Sequence, residues 1–155
     1  MDQRMPYASL APEPVAALRQ LEAAIRKSGL ELQLLELVRL RASMMNGCAY
    51  CIDMHTKDAR AVGETEQRLY ALSAWRETPF FAPRERAALE WTEAVTDVGG
   101  SQVPDAVFER AREHFSEAEI SNLTMAIVAI NAWNRLSIAF RMVPGTYKVK
   151  AAPTH

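Results

Sequence analysis

Two cysteines, one histidine and one glutamate stand at spacings that could do chemistry. Cys48 and Cys51 are separated by two residues, His55 follows four beyond Cys51, and Glu36 lies one helix upstream. On an α-helix, at about 100° per residue, positions 48, 51 and 55 fall within about 60° of one face. The turn dipeptide Asn46-Gly47 sits just before them, so the cysteines open a new helix. First-turn N–H groups and the helix dipole stabilise an anion there, and a neighbouring histidine adds to that effect. The thiolate is the form that attacks, so the placement itself favours reactivity.

The preceding helix supplies a second stripe, Glu36, Arg39, Leu40 and Ser43, at i, i+3, i+4 and i+7. Glu36 on this otherwise apolar helix is expected to be buried or half-buried, with a pKa raised by burial. A carboxylate, an imidazole and two thiols that converge make a proton-relay set. The residues alone leave redox chemistry and metal binding both open. Cys48, Cys51 and His55 would supply three zinc ligands where a structural site takes four. The only other histidine outside the tail, His114, has no paired spacing and is read as a surface residue. Arg39 and Arg41 are read as surface or interface ion-pair residues, and Trp75, Trp91 and Trp133 as core packing.

The elements that must position these residues read as helices throughout. Pro12 and Pro14 open the first, whose Val15, Leu18, Leu21 and Ile25 share a face before Gly29 stops it. The second is expected over about 30–45, the third over 48–63 and the fourth over 65–77. A fifth spans about 83–98 and ends at Gly99-Gly100. Pro104 opens a sixth whose Val107, Phe108 and Ala111 are expected to face inward. Ser116 and Glu119 form a capping box for the last long helix, expected to reach about Met142. No stretch alternates with a period of two. The expectation is an all-α bundle of about seven helices in one domain, 1–155, with its core at about 30–145 and a loosely ordered tail at 146–155.

Composition agrees with a soluble globular chain. Of 155 residues 49% are hydrophobic and 24% charged, and the formal net charge is -1. Such a balance offers no bulk attraction to nucleic acid or to an anionic membrane. No run is long enough to span a membrane, and the start, Met1-Asp2-Gln3-Arg4-Met5-Pro6, lacks the apolar core of a signal peptide. A cytoplasmic location is expected. Two cysteines cannot form a disulfide framework, and thioredoxin-like chemistry would need a βαβ context absent here.

The string Glu36-x11-Cys48-x-Tyr50-Cys51-x3-His55 resembles the alkylhydroperoxidase AhpD-like proteins of the carboxymuconolactone decarboxylase superfamily. Leu40-Arg41-Ala42-Ser43 and Asn46-Gly47 strengthen the likeness, as do Asn131-Ala132-Trp133-Asn134-Arg135 and Pro144-Gly145 near the C-terminus. The resemblance implies an all-helical fold that forms homo-oligomers and a thiol peroxidase that needs no cofactor or metal. It implies Cys51 as the peroxidatic thiol, Cys48 as the more exposed resolving thiol, and His55 with Glu36 as the relay. The expected partners are a hydroperoxide substrate and a dithiol or lipoyl-type protein reductant. Tyr50 stands where AhpD itself has a histidine, and a phenol is a poorer base than an imidazole at neutral pH. A redox-sensing or disulfide-exchange protein and a lactone decarboxylase of the same fold are the alternatives. The lactone branch generally works without this cysteine pair.

Overall fold

Apolar positions recurring at helical spacing, with proline at helix starts and glycine at helix stops, produce a bundle without strands among the described residues. The computed structural model describes residues 2–149. Its helices are α1 (Tyr7–Leu10), α2 (Pro12–Ile25), α3 (Leu32–Asn46), α4 (Ala49–Ala61), α5 (Glu66–Ala71), α6 (Pro83–Thr96), α7 (Val98–Ser101), α8 (Asp105–Arg112) and α9 (Glu117–Ala139). A 3-10 segment, Leu72–Glu77, continues α5.

The centre of the bundle is α3, which packs on α4, α6 and α9. Its residues 34–40 are all buried, so it is enclosed on every side rather than on one stripe. This encloses Glu36 and Arg39 as well. A buried charge is tolerated when it is paired and hydrogen-bonded, and that requirement shapes the site below. One apolar cluster joins Ile25, Leu35, Val38, Trp91, Leu123 and Ile127. A second gathers Leu37, Leu40, Leu72, Trp75 and Leu89 on the other side of α3.

Several local expectations shift. The one-turn α1 precedes the proline-led helix. The expected fourth helix divides at Ala71 into α5 and the 3-10 segment. Gly99 and Gly100 do not stop a helix; they lie inside the short α7, and the chain turns at Gln102, whose φ is 50°. Phe108 does not face inward but is 37% exposed, lying tilted 5.8 Å from the Trp91 ring, whereas Ala111 is fully buried. The last helix ends at Ala139, three residues before Met142. Ser116 and Glu119 do form the capping box. The stretch from Gly145 to Tyr147 is not loose but bonded to α4, while residues 150–155 lie outside the described residues. No described helix is long and apolar enough to cross a membrane.

Candidate active site

Gly47 makes the junction between α3 and α4. It caps α3 in the left-handed conformation, φ 68°, which glycine adopts without a Cβ penalty. The next residue, Cys48, is already the N-cap of α4, and its sulfur accepts a hydrogen bond from the Cys51 N–H at 3.4 Å. Cys48 and Cys51 pair as a disulfide with their Cα atoms 5.4 Å apart, within the range such a bond requires. Cys51 and His55 sit one turn apart on α4. The expectation that Cys48 is the more exposed sulfur fails, since both residues are only 1% exposed. The difference lies in access. A cavity of about 1210 Å³ is lined by Cys51, not Cys48, together with Glu36, Tyr50, His55 and Trp133. Trp133 is therefore half-buried wall, unlike the buried Trp75 and Trp91.

Glu36 Oε2 lies 2.7 Å from His55 Nδ1. Arg39 donates to Glu36 Oε1 at 2.7 Å and to Glu22 Oε2 at 2.6 Å, and Arg26 approaches Oε1 at 3.5 Å. Arg39 is thus not a surface residue: at 1% exposure it is the buried counter-charge that lets Glu36 remain ionised. Arg41 is likewise half-buried, donating to Glu93 at 2.7 Å. The expected rise in the Glu36 pKa is also overturned. Burial is the largest effect and does push it up, but the hydrogen bond and charge of His55, with Arg39 and Arg26, hold it below the usual carboxylate value.

Tyr50 lies half-buried in the first turn of α4 and lines the cavity. Across from it, Tyr7 has its pKa raised by burial and by Tyr50, against the opposing charge of Arg19. The two sulfurs do not combine with His55 as a ligand set. Among the described residues the ligand atoms that gather, within 4.8 Å of one another, belong to Glu36, His55 and Asp58. Both oxygens of Glu36 are taken by Arg39 and His55, and Asp58 accepts from Tyr147. His114 is half-buried just beyond α8; its backbone N–H donates to the Ala111 carbonyl and its own carbonyl accepts from Arg84.

A polar lattice fixes the α3–α4 junction from behind. Asn46 Nδ2 donates to Asn131 Oδ1 and to Asn134 Oδ1, both at 2.9 Å, and Asn134 Nδ2 donates to Ser43 Oγ at 3.0 Å. The asparagines that interrupt the apolar run of α9 therefore anchor the turn that carries Cys48. Asn134 is fully buried. Asn134→Leu should lower unfolding stability by about 1–3 kcal/mol, the scale of leaving buried polar partners unmatched. Urea unfolding should show a lower midpoint at unchanged slope.

Sequence reasoning did not single out Glu22, Arg26, Asp58 or Tyr147. Asp58 had a signal, since it follows His55 by three and shares its face. Tyr147 had none, because its contact spans 89 residues.

A fully helical bundle with a cysteine pair opening one of its central helices defines the AhpD-like class. The chain belongs to the carboxymuconolactone decarboxylase family, whose sequence model matches residues 12–94. It is 47% identical over 139 residues to the uncharacterized protein YdfG of Bacillus subtilis strain 168, a match covering 90% of this chain and 95% of that protein. A crystal structure of a protein of unknown function from Agrobacterium tumefaciens, for which an AhpD antioxidant-defence role is suggested, superposes with a TM-score of 0.91. Its identity is 44%, over 94% of this chain and 100% of that one. An AhpD-core, peroxidase-related protein of Ralstonia eutropha JMP134 shares the fold at TM-score 0.80 and 22% identity, over 90% of this chain and 75% of that one.

Proposed function

We propose that this protein is a thiol-dependent peroxidase that reduces organic or hydrogen peroxide and is recycled by a dithiol. The observation that carries the reading is that Cys51, with Cys48 paired to it, opens onto the same cavity as the buried Glu36–His55 pair. In the reduced protein the Cys51 proton passes to the relay, leaving the thiolate that attacks. The sulfur attacks the outer peroxide oxygen. An S–O bond forms, the O–O bond breaks, and the departing alkoxide takes the relay proton to leave as alcohol. The sulfur is oxidised by two electrons to a sulfenic acid. Cys48 then attacks that sulfur, its S–H proton joins the leaving hydroxide as water, and the Cys48–Cys51 disulfide forms. An external dithiol returns two electrons and two protons by exchange.

His55 binds Glu36 through Nδ1, which orients the ring and leaves Nε2 as the nitrogen available to the reacting groups. Tyr50 serves as a hydrogen-bond donor at the cavity wall rather than as a base. A lipoyl-type protein is a suitable reductant, because a dithiol on a flexible arm can enter a cavity that a folded protein surface cannot. The test is consumption of hydroperoxide with dithiol donors, with thiols titrated before and after. Turnover supports the reading. An absence of peroxide consumption with the cysteines fully reduced would reject it.

Assembly belongs to the same reading. Met125, Val128 and Ile138 on α9 and Leu10 at the end of α1 are large apolar residues left exposed by the single chain. We expect a homo-oligomer whose light-scattering mass is at least twice 17.3 kDa. A monomer at micromolar concentration would contradict this.

A further inference from the structure

The segment following α9 is fastened to the helix that carries the reactive groups. The Gly145 N–H donates to Asp53 Oδ2 at 3.0 Å, Lys57 Nζ donates to the Tyr147 carbonyl at 3.1 Å, and the Tyr147 hydroxyl donates to Asp58 Oδ1 at 2.8 Å. All three anchors lie on α4, and Tyr147 and Val149 line the cavity that contains Cys51. The third anchor reaches the relay itself, because a carboxylate oxygen of Asp58 lies within 4.8 Å of ligand atoms of both His55 and Glu36. Among the described residues Asp58 has no cationic partner, and its side chain takes one hydrogen bond, from Tyr147.

We propose that Asp58 is a second carboxylate acting on the Glu36–His55 relay, and that Tyr147 is the positioning residue that holds it there. This rests on the reading of Cys51 as a reactive thiol served by that relay. A negative charge within 4.8 Å makes protons harder to remove from the groups beside it. The hydroxyl of Tyr147 fixes where that charge stands. Burial, then the hydrogen bond to Asp58 and the charges of Asp58 and Glu36, push the Tyr147 pKa up against the opposing Arg26, so the phenol remains a donor.

The other charges around the cluster have separate engagements. From α3, Arg39 is bound to Glu36 and Glu22. From α2, Arg26 approaches Glu36 Oε1, and on α4 Lys57 turns to Asp53 and the Tyr147 carbonyl. Cys51, Tyr50, Tyr7 and Arg19 complete the titratable lining. Among the described residues none of these cations is paired with Asp58.

The experiment is alkylation of the reduced full-length protein by iodoacetamide as a function of pH, with the site of modification read by mass spectrometry. Asp58→Asn should move the Cys51 profile toward acid by about 0.3 pH unit, roughly a twofold rate change at fixed pH on the rising limb, because residues seven apart on a helix stand about 10 Å apart. Asp58→Glu, which keeps the charge, should leave the midpoint near that of the unmodified chain. Tyr147→Phe should shift it in the same direction as Asp58→Asn, by less. Adding Tyr147→Phe to Asp58→Asn should move nothing further, because the two act through one charge.

Slower alkylation with unmoved midpoints would reduce the segment to a structural strap and overturn the proposal, and additive shifts would overturn the role of Tyr147. If Asp58→Asn does not fold, Tyr147→Phe and Asp58→Glu carry the comparison alone. Alkylation needs no peroxide. Shifted profiles without peroxide consumption would therefore keep this inference and reject the peroxidase reading, and consumption with unmoved profiles would do the reverse.

Discussion

Cys51→Ser should abolish reaction with hydroperoxide, by about a thousandfold or more, the scale of losing a nucleophile, whereas Cys48→Ser should react once and stop. The expectation follows from access. Cys51 lines the cavity that also holds Glu36 and His55, and Cys48 sits at the helix start without lining it. Without Cys48 the sulfenic acid has no neighbouring thiol to condense with. A dimedone-type probe should then give an adduct on Cys51, found by mass spectrometry, in stoichiometric amount. An adduct on Cys48 in the Cys51→Ser protein would reverse the two roles. Unchanged peroxide consumption in both variants would remove the pair from the chemistry altogether.

Glu36→Gln should slow peroxide-driven thiol oxidation at least about tenfold, the lower range of losing general acid–base assistance. It should also destabilise the fold, because Arg39 keeps Glu22 but loses its fully buried partner. Breaking a buried ion pair costs about 3–5 kcal/mol, and the remaining Glu22 contact puts this case at the lower end. The pH dependence has a definite sign. Glu36 titrates below its ordinary value, so its contribution is complete above the usual carboxylate pKa and is lost as pH falls through the lower folded value. Urea unfolding at neutral pH should separate the two proteins clearly, and the gap should narrow in strong acid. Oxidation kinetics that match the unmodified chain across pH 5 to 9 would reduce Glu36 to a structural ion-pair residue.

The helices and the cysteine start were legible because their signals are local. Proline at Pro12 and Pro83, the Ser116–Glu119 box and the Asn46-Gly47 turn each act within a few residues. The association of Glu36 with His55 was legible from the family motif, and the structure brings the two side chains into contact. What could not be read is whatever depends on which faces are enclosed. Arg39 looked like a surface cation because arginines usually are, yet α3 is surrounded on all sides. The same enclosure reversed the expected direction at Glu36: burial alone raises a carboxylate pKa, but His55 and Arg39 were buried with it, and the exposed Arg26 reaches it from α2. Gly99-Gly100 misled for a different reason. Glycine lowers helix propensity without forbidding one turn, and the turn is completed by backbone bonds to Asp97. Tyr147 was invisible because its partner on α4 is distant in sequence.

The sulfur of Cys48 holds a position that helices usually give to an oxygen. As the N-cap of α4 it accepts from the Cys51 N–H across 3.4 Å, where serine, threonine, asparagine or aspartate would bind more strongly. In the reduced protein, serine at this position is the better start for the helix, and on the proposed chemistry it ends the redox cycle. Cys48→Ser should therefore leave the reduced fold at least as stable while removing the sulfur that pairs with Cys51. Cysteine at this position gives up cap strength for a sulfur that can pair with Cys51.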